Sequence, residues 1–180
     1  MEKICVWINN LMHKPDLSRA KSDDAYAEWE FGKAKENEKK FLTHFLLLNK
    51  KILDLGCGFG GESTYWGKIG AKEVVGIDIT KKHIKFATSF CKKKGLANKV
   101  KFVVADASNL PFVSNTFDVV FINATFEHLY EPLKSLEECR GLKISRFENF
   151  IFSPYITLSL LNYKTKGVQH LEATASSGGF

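Results

Sequence analysis

Three aspartates mark three short apolar runs: Asp54 within Lys51-Ile-Leu-Asp-Leu55, Asp78 at the end of Glu73-Val-Val-Gly-Ile-Asp78, and Asp106 just after Val100-Lys-Phe-Val-Val-Ala105. The first run opens into glycines at 56, 58, 60 and 61, a backbone able to turn sharply and to lie close against a ligand. Gly56, Gly58 and Gly61 form a GxGxxG pattern, which alone occurs by chance and in dinucleotide enzymes. Asp54 shifts the reading: an acid two residues before the first glycine puts negative charge beside the loop, which suits a cationic ligand better than a pyrophosphate. Asp78 stands 22 residues after Gly56, where an acid can accept from both vicinal hydroxyls of a ribose. Ile79 then lies beside the base as an apolar wall, Asp106 accepts from an adenine amino group, and the Ala107 amide meets a ring nitrogen. This is the chemistry of holding a cofactor that carries a nucleoside and positive charge.

The elements that must position these residues follow from periodicity and turn signals. Ile52 to Leu55 is a buried strand running into the glycine turn, and Glu62 to Ile69 is a helix whose first amides point into that turn and favour electron-rich groups there. A second strand spans 73–78, and a helix spans Thr80 to Lys94 with Ile84, Ala87 and Cys91 at core spacing. A third strand spans Val100 to Ala105. After a Ser114-Asn115 turn, a fourth spans Phe117 to Ile122 and ends at Asn123-Ala-Thr-Phe-Glu-His-Leu129. Right-handed crossovers bring Asp54, Asp78 and Asp106 to one edge of a parallel sheet, so the expected fold class is α/β, a doubly wound Rossmann-like sheet with helices on both faces.

Before the glycine loop, residues 1–48 read as an N-terminal helical segment: a short helix, a break at Pro15 with Asp16 or Ser18 available as caps, and a second helix from about Asp23 to Leu48. Phe41, Phe45 and Leu48 stand at helical spacing and pack this segment on the domain. Trp7, Tyr26 and Trp29 fit packing of that segment better than substrate contact, although the segment can also lie over the cofactor mouth. Residues 49–172 form the cofactor domain, and 173–180, small and glycine-rich, a flexible tail.

A length of 180 residues sets one domain with a real core, and 44% hydrophobic with 26% charged residues is an ordinary globular composition. The most apolar stretch, Phe147 to Leu161, is interrupted by Glu148, Ser153 and Pro154, and no secretion signal opens the chain, which places it in the cytoplasm. Cysteines 5, 57, 91 and 139 show neither CxxC spacing nor clustering and read as reduced thiols, with no metal site. The net charge of +6 admits nucleic acid. Lys92, Lys93 and Lys94, however, stand before Gly95 where a helix ends, lack interleaved aromatics, and read as a solvated face.

The ordered series Ile-Leu-Asp-Leu-Gly-Cys-Gly-x-Gly at 52–60, Gly-Ile-Asp at 76–78, Asp-Ala-x-x-Leu-Pro-Phe at 106–112, Phe-Asp-Val-Val at 117–120 and Phe-Glu-His-Leu at 126–129 resembles the class I S-adenosylmethionine-dependent methyltransferases. Within them it is most similar to the small-molecule branch that includes the ubiquinone and menaquinone biosynthesis enzymes, over roughly residues 40–141. The resemblance implies S-adenosylmethionine as cofactor and methyl transfer to a small-molecule acceptor. It implies that Gly56, Cys57, Gly58 and Gly60 pack against the methionine part and that Asp54 helps hold its amino group. Asp78 would then take the ribose, Asp106 and Ala107 the adenine, and Asn123 would pass near the sulfonium. His128 and Glu127, just past the fourth strand where an acceptor should sit, are the candidate catalytic bases, with capping or packing as the competing role for His128.

The C-terminal third departs from that pattern. Leu142-Lys143 is followed by Ile144-Ser-Arg instead of a Pro-Gly-Gly turn, and 27 residues after Ser153 leave no room for the family's last helix and antiparallel hairpin. Asn149 to Ser153 still reads as a fifth strand, ended by Pro154-Tyr155, and an open edge there invites pairing of two copies. A non-catalytic or truncated cofactor-binding fragment or partner subunit is therefore an alternative. A lesser one is an RNA methyltransferase, since Ile122-Asn-Ala-Thr125 replaces the Asn/Asp-Pro-Pro-aromatic motif of amino-methylating enzymes and no cysteine follows a proline. A nicotinamide oxidoreductase explains Gly56, Gly58, Gly61 and Asp78 but leaves Asp54 and Asp106-Ala107 without a role.

Overall fold

The short apolar runs alternate in which face they bury, and this alternation builds the sheet. The computed structural model describes residues 22–41, 47–142 and 150–152. Its strands are β1 (Lys51–Leu55), β2 (Glu73–Asp78), β3 (Val100–Val104), β4 (Val119–Ile122) and β5 (Phe150–Phe152), in the order β3-β2-β1-β4-β5. Every neighbouring pair is parallel, with Ile52 opposite both Val74 and Val119, and Asp54 opposite both Gly76 and Phe121.

Ile52, Val74, Val119 and Phe121 turn to one face and bury with Ala34, Tyr65, Trp66 and Cys91, which come from α1 (Asp23–Phe41), α2 (Gly61–Lys68) and α3 (Lys81–Lys93). Leu53, Leu55, Val75, Ile77, Val120 and Ile122 turn to the other and bury with Cys139 of α4 (Pro132–Gly141) and with Phe126. Helices thus cover both faces of a parallel sheet, the doubly wound arrangement expected from the motif order.

α1 begins where Ser22 caps it, the serine Oγ accepting from the Ala25 amide at 3.2 Å. It lies on α2 through Ala27, and on the core through fully buried Ala34. The expected packing positions shift near residue 48: Leu47 is buried, whereas Leu48 is 47% exposed, because the chain leaves helical conformation there, with Asn49 at φ 58°. Phe45 lies outside the described residues, as do 1–21, the strand ends Asn149 and Ser153, the region of the expected hairpin, and the tail at 173–180.

The lysines of α3 and Lys94 just after it are exposed, as read from the sequence, and three of them also form ion pairs. Lys82 pairs with Asp23 at 3.3 Å, Lys93 with Asp24 at 3.0 Å and Lys94 with Glu28 at 2.7 Å, so they tie α1 to the domain. Lys94 Nζ also lies 5.0 Å from the ring centre of Phe31. Among the described residues no helix is long and apolar enough to cross a membrane. Cys57, Cys91 and Cys139 are buried, unpaired thiols.

Candidate active site

The loops that leave the C-terminal ends of β1, β2, β3 and β4 meet α1 around a cavity of about 820 Å3. Its floor is set by backbone. The amides of Gly56 and Cys57 both donate to the Ile77 carbonyl at 2.8 Å, which folds the loop after β1 back over β2. Gly56 has φ 75°, and a Cβ there would lie 2.1 Å from Thr125 Cγ2. Thr125 in turn directs Oγ1 to the Gly56 carbonyl at 3.2 Å and the Asn123 carbonyl at 2.9 Å. Only a residue without a side chain lets the loops after β1 and β4 approach this closely.

Asp78 is fixed by two amides. Thr80 N–H donates to its Oδ1 at 2.7 Å and Gly58 N–H to its Oδ2 at 3.2 Å, so the carboxylate end of β2 is tied to the glycine loop. Asp54 is buried below it and accepts from Ser63 Oγ at 2.5 Å. Burial pushes the Asp54 carboxyl up to about 6; the Ser63 hydrogen bond opposes this and the Asp78 charge adds to it.

Two further carboxylates stand beside Asp54. Glu62, in the first turn of α2, is held by Asn123, whose Nδ2 donates to Oε1 at 2.9 Å and Oε2 at 2.8 Å. Burial pushes Glu62 up to about 8, with the Asp54 charge adding and the Asn123 bond opposing. Glu30 of α1 accepts the Gly61 amide at 3.2 Å, and burial, then the charge on Glu62, holds its carboxyl well above the ordinary range. Both side chains keep some exposed surface and both line the cavity. A Cβ at Gly61 would lie 2.4 Å from both the Ala27 carbonyl oxygen and Glu30 Cβ, so that glycine is what admits α1 to the site. The Gly61 amide expected to face a ligand is thereby taken by Glu30.

The residues singled out from the sequence fall as follows. Asp54, Gly56, Cys57, Gly58, Asp78, Ile79, Asp106, Ala107 and Asn123 all line the cavity. Ile79 is 70% exposed there, which fits a wall awaiting a flat ligand. Asp106 accepts from the Ser108 amide at 2.8 Å and the Ser108 hydroxyl at 2.9 Å, bonds that lower its carboxyl from the ordinary value. Gly60 is not on the lining: a Cβ there would lie 2.7 Å from Ala87 Cβ and Phe102 Cζ, so it packs beneath the loop. His128 lines the cavity as an exposed residue of the short 3-10 turn Phe126–His128. The Glu127 side chain lies outside the described residues.

Tyr26 and Trp29, for which packing was favoured over substrate contact, line the cavity, with Tyr26 5.4 Å from the Phe59 ring centre. Other lining residues were not anticipated. His83 puts Nδ1 3.3 Å from Asp78 Oδ1 and its ring 4.6 Å from that of Phe59. His83 is five residues after the strand-end acid, one turn into α3, and that spacing was a usable signal. Glu62, directly after the last glycine, was another. Nothing local announced Glu30, which reaches the loop from 31 residues away.

A cavity of about 820 Å3 lies within the range of small-molecule sites, roughly 300–1,000 Å3. Carboxylates crowded enough to raise one another call for a ligand that brings positive charge. Acids at three adjacent strand ends and a glycine loop open to close approach suit a nucleoside joined to such a charge. Fold and site together define an α/β domain that binds S-adenosylmethionine.

Comparison with known proteins agrees. A methyltransferase-domain family model matches residues 53–143. A SAM-dependent methyltransferase from Aquifex aeolicus superposes with a TM-score of 0.57 at 29% identity, over 71% of this chain and 66% of that one. Tocopherol O-methyltransferase of Arabidopsis thaliana is 30% identical over 146 residues, covering 74% of this chain and 40% of that protein. Norajmaline N-methyltransferase of Rauvolfia serpentina is 37% identical over 89 residues, covering 49% and 30%. The chain belongs to the methyltransferase-domain family, in the class I S-adenosylmethionine-dependent methyltransferases, and S-adenosylmethionine is its cofactor. It spans less than half the length of these two curated relatives.

Proposed function

We propose that this protein transfers a methyl group from S-adenosylmethionine to a small-molecule acceptor. The observation that carries the reading is the convergence of Asp54, Asp78 and Asp106, from three neighbouring strand ends, on one cavity that also holds Asn123 and two further half-buried acids. Asp78 binds the ribose hydroxyls. Asp106 and the Ala107 amide bind the adenine beside Ile79. Gly56, Cys57 and Gly58 lie along the methionine part, with Asp54 on its ammonium side. Asn123, at the end of β4, lies nearest the reacting centre.

The bound cofactor supplies an activated methyl on a sulfonium, so the protein's task is alignment, exclusion of water and, for an acceptor that carries a proton, its removal. Tyr26, Trp29, Leu129 and Tyr130 all line the cavity and give an acceptor apolar surface to meet. His128, at the exposed rim, is placed to contact the acceptor. Within the N-terminal segment, α1 brings Tyr26, Trp29 and Glu30 to the site. The acids of the cavity and the pairing of the α3 lysines with α1 favour a small acceptor over a polyanion. The unpaired thiols fit a reducing compartment such as the cytoplasm. Association of two copies through the β5 edge is open to a light-scattering mass measurement, in which a clean monomer would exclude it.

The test of function is transfer of isotope-labelled methyl from S-adenosylmethionine into a panel of hydroxyl, amine, thiol and carbon acceptors. Label in one acceptor class, lost in Asp78→Ala, is the expected result. A protein that binds cofactor and labels none of them is a cofactor-binding unit without transfer.

A further inference from the structure

The cavity carries more carboxylates than the cofactor can use. Six carboxylates line it, from Glu30, Asp54, Glu62, Asp78, Asp106 and Glu131, against a single lysine, Lys33. Under the reading above, Asp78 and Asp106 serve the ribose and adenine, and Asp54, bonded to Ser63, lies on the ammonium side. The Glu30 carboxylate is engaged by the Gly61 amide at the start of α2. Glu131 is paired with Lys134 at 3.4 Å. Glu62 remains, at the junction of the loops after β1 and β4, its carboxylate oriented by both bonds from Asn123.

Aromatic rings line the same cavity. Tyr26 lies 5.7 Å from Trp29 and 5.4 Å from Phe59, all three on the lining, and it is near enough to Glu62 for that charge, after burial and Glu30, to help raise its phenol. A buried carboxylate facing aromatic surface is the combination that recognises an organic cation, through an ion pair and through the ring quadrupoles. An ammonium keeps Glu62 ionised by pairing with it, whereas a neutral alcohol offers it no ion pair.

We propose that the acceptor is an amine, that its nitrogen docks against Glu62, and that Glu62 takes the proton which frees the nitrogen lone pair. This rests on the methyl-transfer reading. The ammonium gives one proton to the Glu62 carboxylate, and the nitrogen pair then forms the bond to the methyl carbon. The carbon–sulfur bond breaks with its pair going to sulfur, so the positive charge passes from sulfur to nitrogen. The methylated ammonium leaves, and Glu62 returns its proton to water. Burial and the neighbouring Asp54 charge, which place Glu62 at about 8, match it to this exchange near neutrality. His128, exposed at the rim, is left to contact the remainder of the acceptor.

The test is calorimetric titration of the full chain, saturated with S-adenosylhomocysteine, with phenethylamine and with the neutral analogue 2-phenylethanol at pH 7.5. The amine is expected to bind at least tenfold more tightly than the alcohol, and Glu62→Gln is expected to bring the two within threefold. Failure of the wild-type protein to bind S-adenosylhomocysteine would overturn the methyltransferase reading and this inference with it. Cofactor binding with equal affinities, no amine binding, or a preference that survives Glu62→Gln would overturn the amine assignment alone. The wild-type ratio decides even if the variant does not fold.

Discussion

Replacing Glu62 by glutamine should change the way stability depends on pH, in a direction the site fixes. In the folded protein the Glu62 carboxyl is raised from 4.5 to about 8 by burial and by Asp54. The folded state therefore binds the Glu62 proton more tightly than the unfolded chain. That contribution is fully present below pH 4.5 and is lost as pH rises through 8. Taken in full, the shift corresponds to about 4 kcal/mol of stability lost between pH 5 and pH 9. Part of the side chain faces the water-accessible cavity, so the expected loss is about half, ~2 kcal/mol. Glutamine keeps the shape but not the charge and gives up one of the two Asn123 bonds, a cost of about 1 kcal/mol that does not vary with pH. Relative to wild type, Glu62→Gln should therefore gain about 2 kcal/mol between pH 5 and pH 9, or roughly 4–8 °C in Tm for a chain of this size. Urea unfolding of both proteins across that range reads the difference directly. A constant difference, or a wild type that gains on the variant with rising pH, would refute the buried-acid description.

Other perturbations read separate parts of the site. Asp78→Ala should weaken S-adenosylhomocysteine binding by on the order of 2 kcal/mol, about 30-fold, by removing a charge-assisted pair of hydrogen bonds; unchanged affinity in a folded variant would show that the ribose lies elsewhere. Gly56→Ala combines a left-handed backbone, about 1–2 kcal/mol for a residue with a Cβ, with a collision at 2.1 Å on Thr125, so thermal unfolding should fall by more than 5 °C. Reversing the charges of Lys93 and Lys94 should speed amide exchange in α1 while leaving β1 and β2 as protected as before; uniform loss of protection would mean that α1 is not held by those pairs.

The sheet was legible because its strands are short apolar runs, the first three closed by glycine or an acid, and β2 spans the same residues, 73–78, in sequence and structure. The cofactor half of the cavity was legible for the same reason: Asp54, Asp78 and Asp106 sit at fixed offsets from strand ends, so topology alone gathers them. What escaped was supplied by tertiary packing. Glu30 and Trp29 reach the loop only because Gly61 admits α1, and no local pattern encodes that approach. Gly60 belongs to the same glycine run as Gly58, yet the loop turns one toward the cavity and the other onto Phe102. Lys92, Lys93 and Lys94 are exposed as read from the sequence, but the ion pairs of Lys93 and Lys94 were hidden because Asp24 and Glu28 are more than sixty residues away.

The central claim is that this cavity is built for S-adenosylmethionine and not for a dinucleotide. Calorimetric titration with S-adenosylhomocysteine, run beside NADH, tests it most directly. Saturable one-to-one binding of S-adenosylhomocysteine, abolished or strongly weakened in Asp78→Ala, with no heat from NADH, is the predicted result. A folded protein that ignores S-adenosylhomocysteine, or that binds NADH in its place, would contradict it.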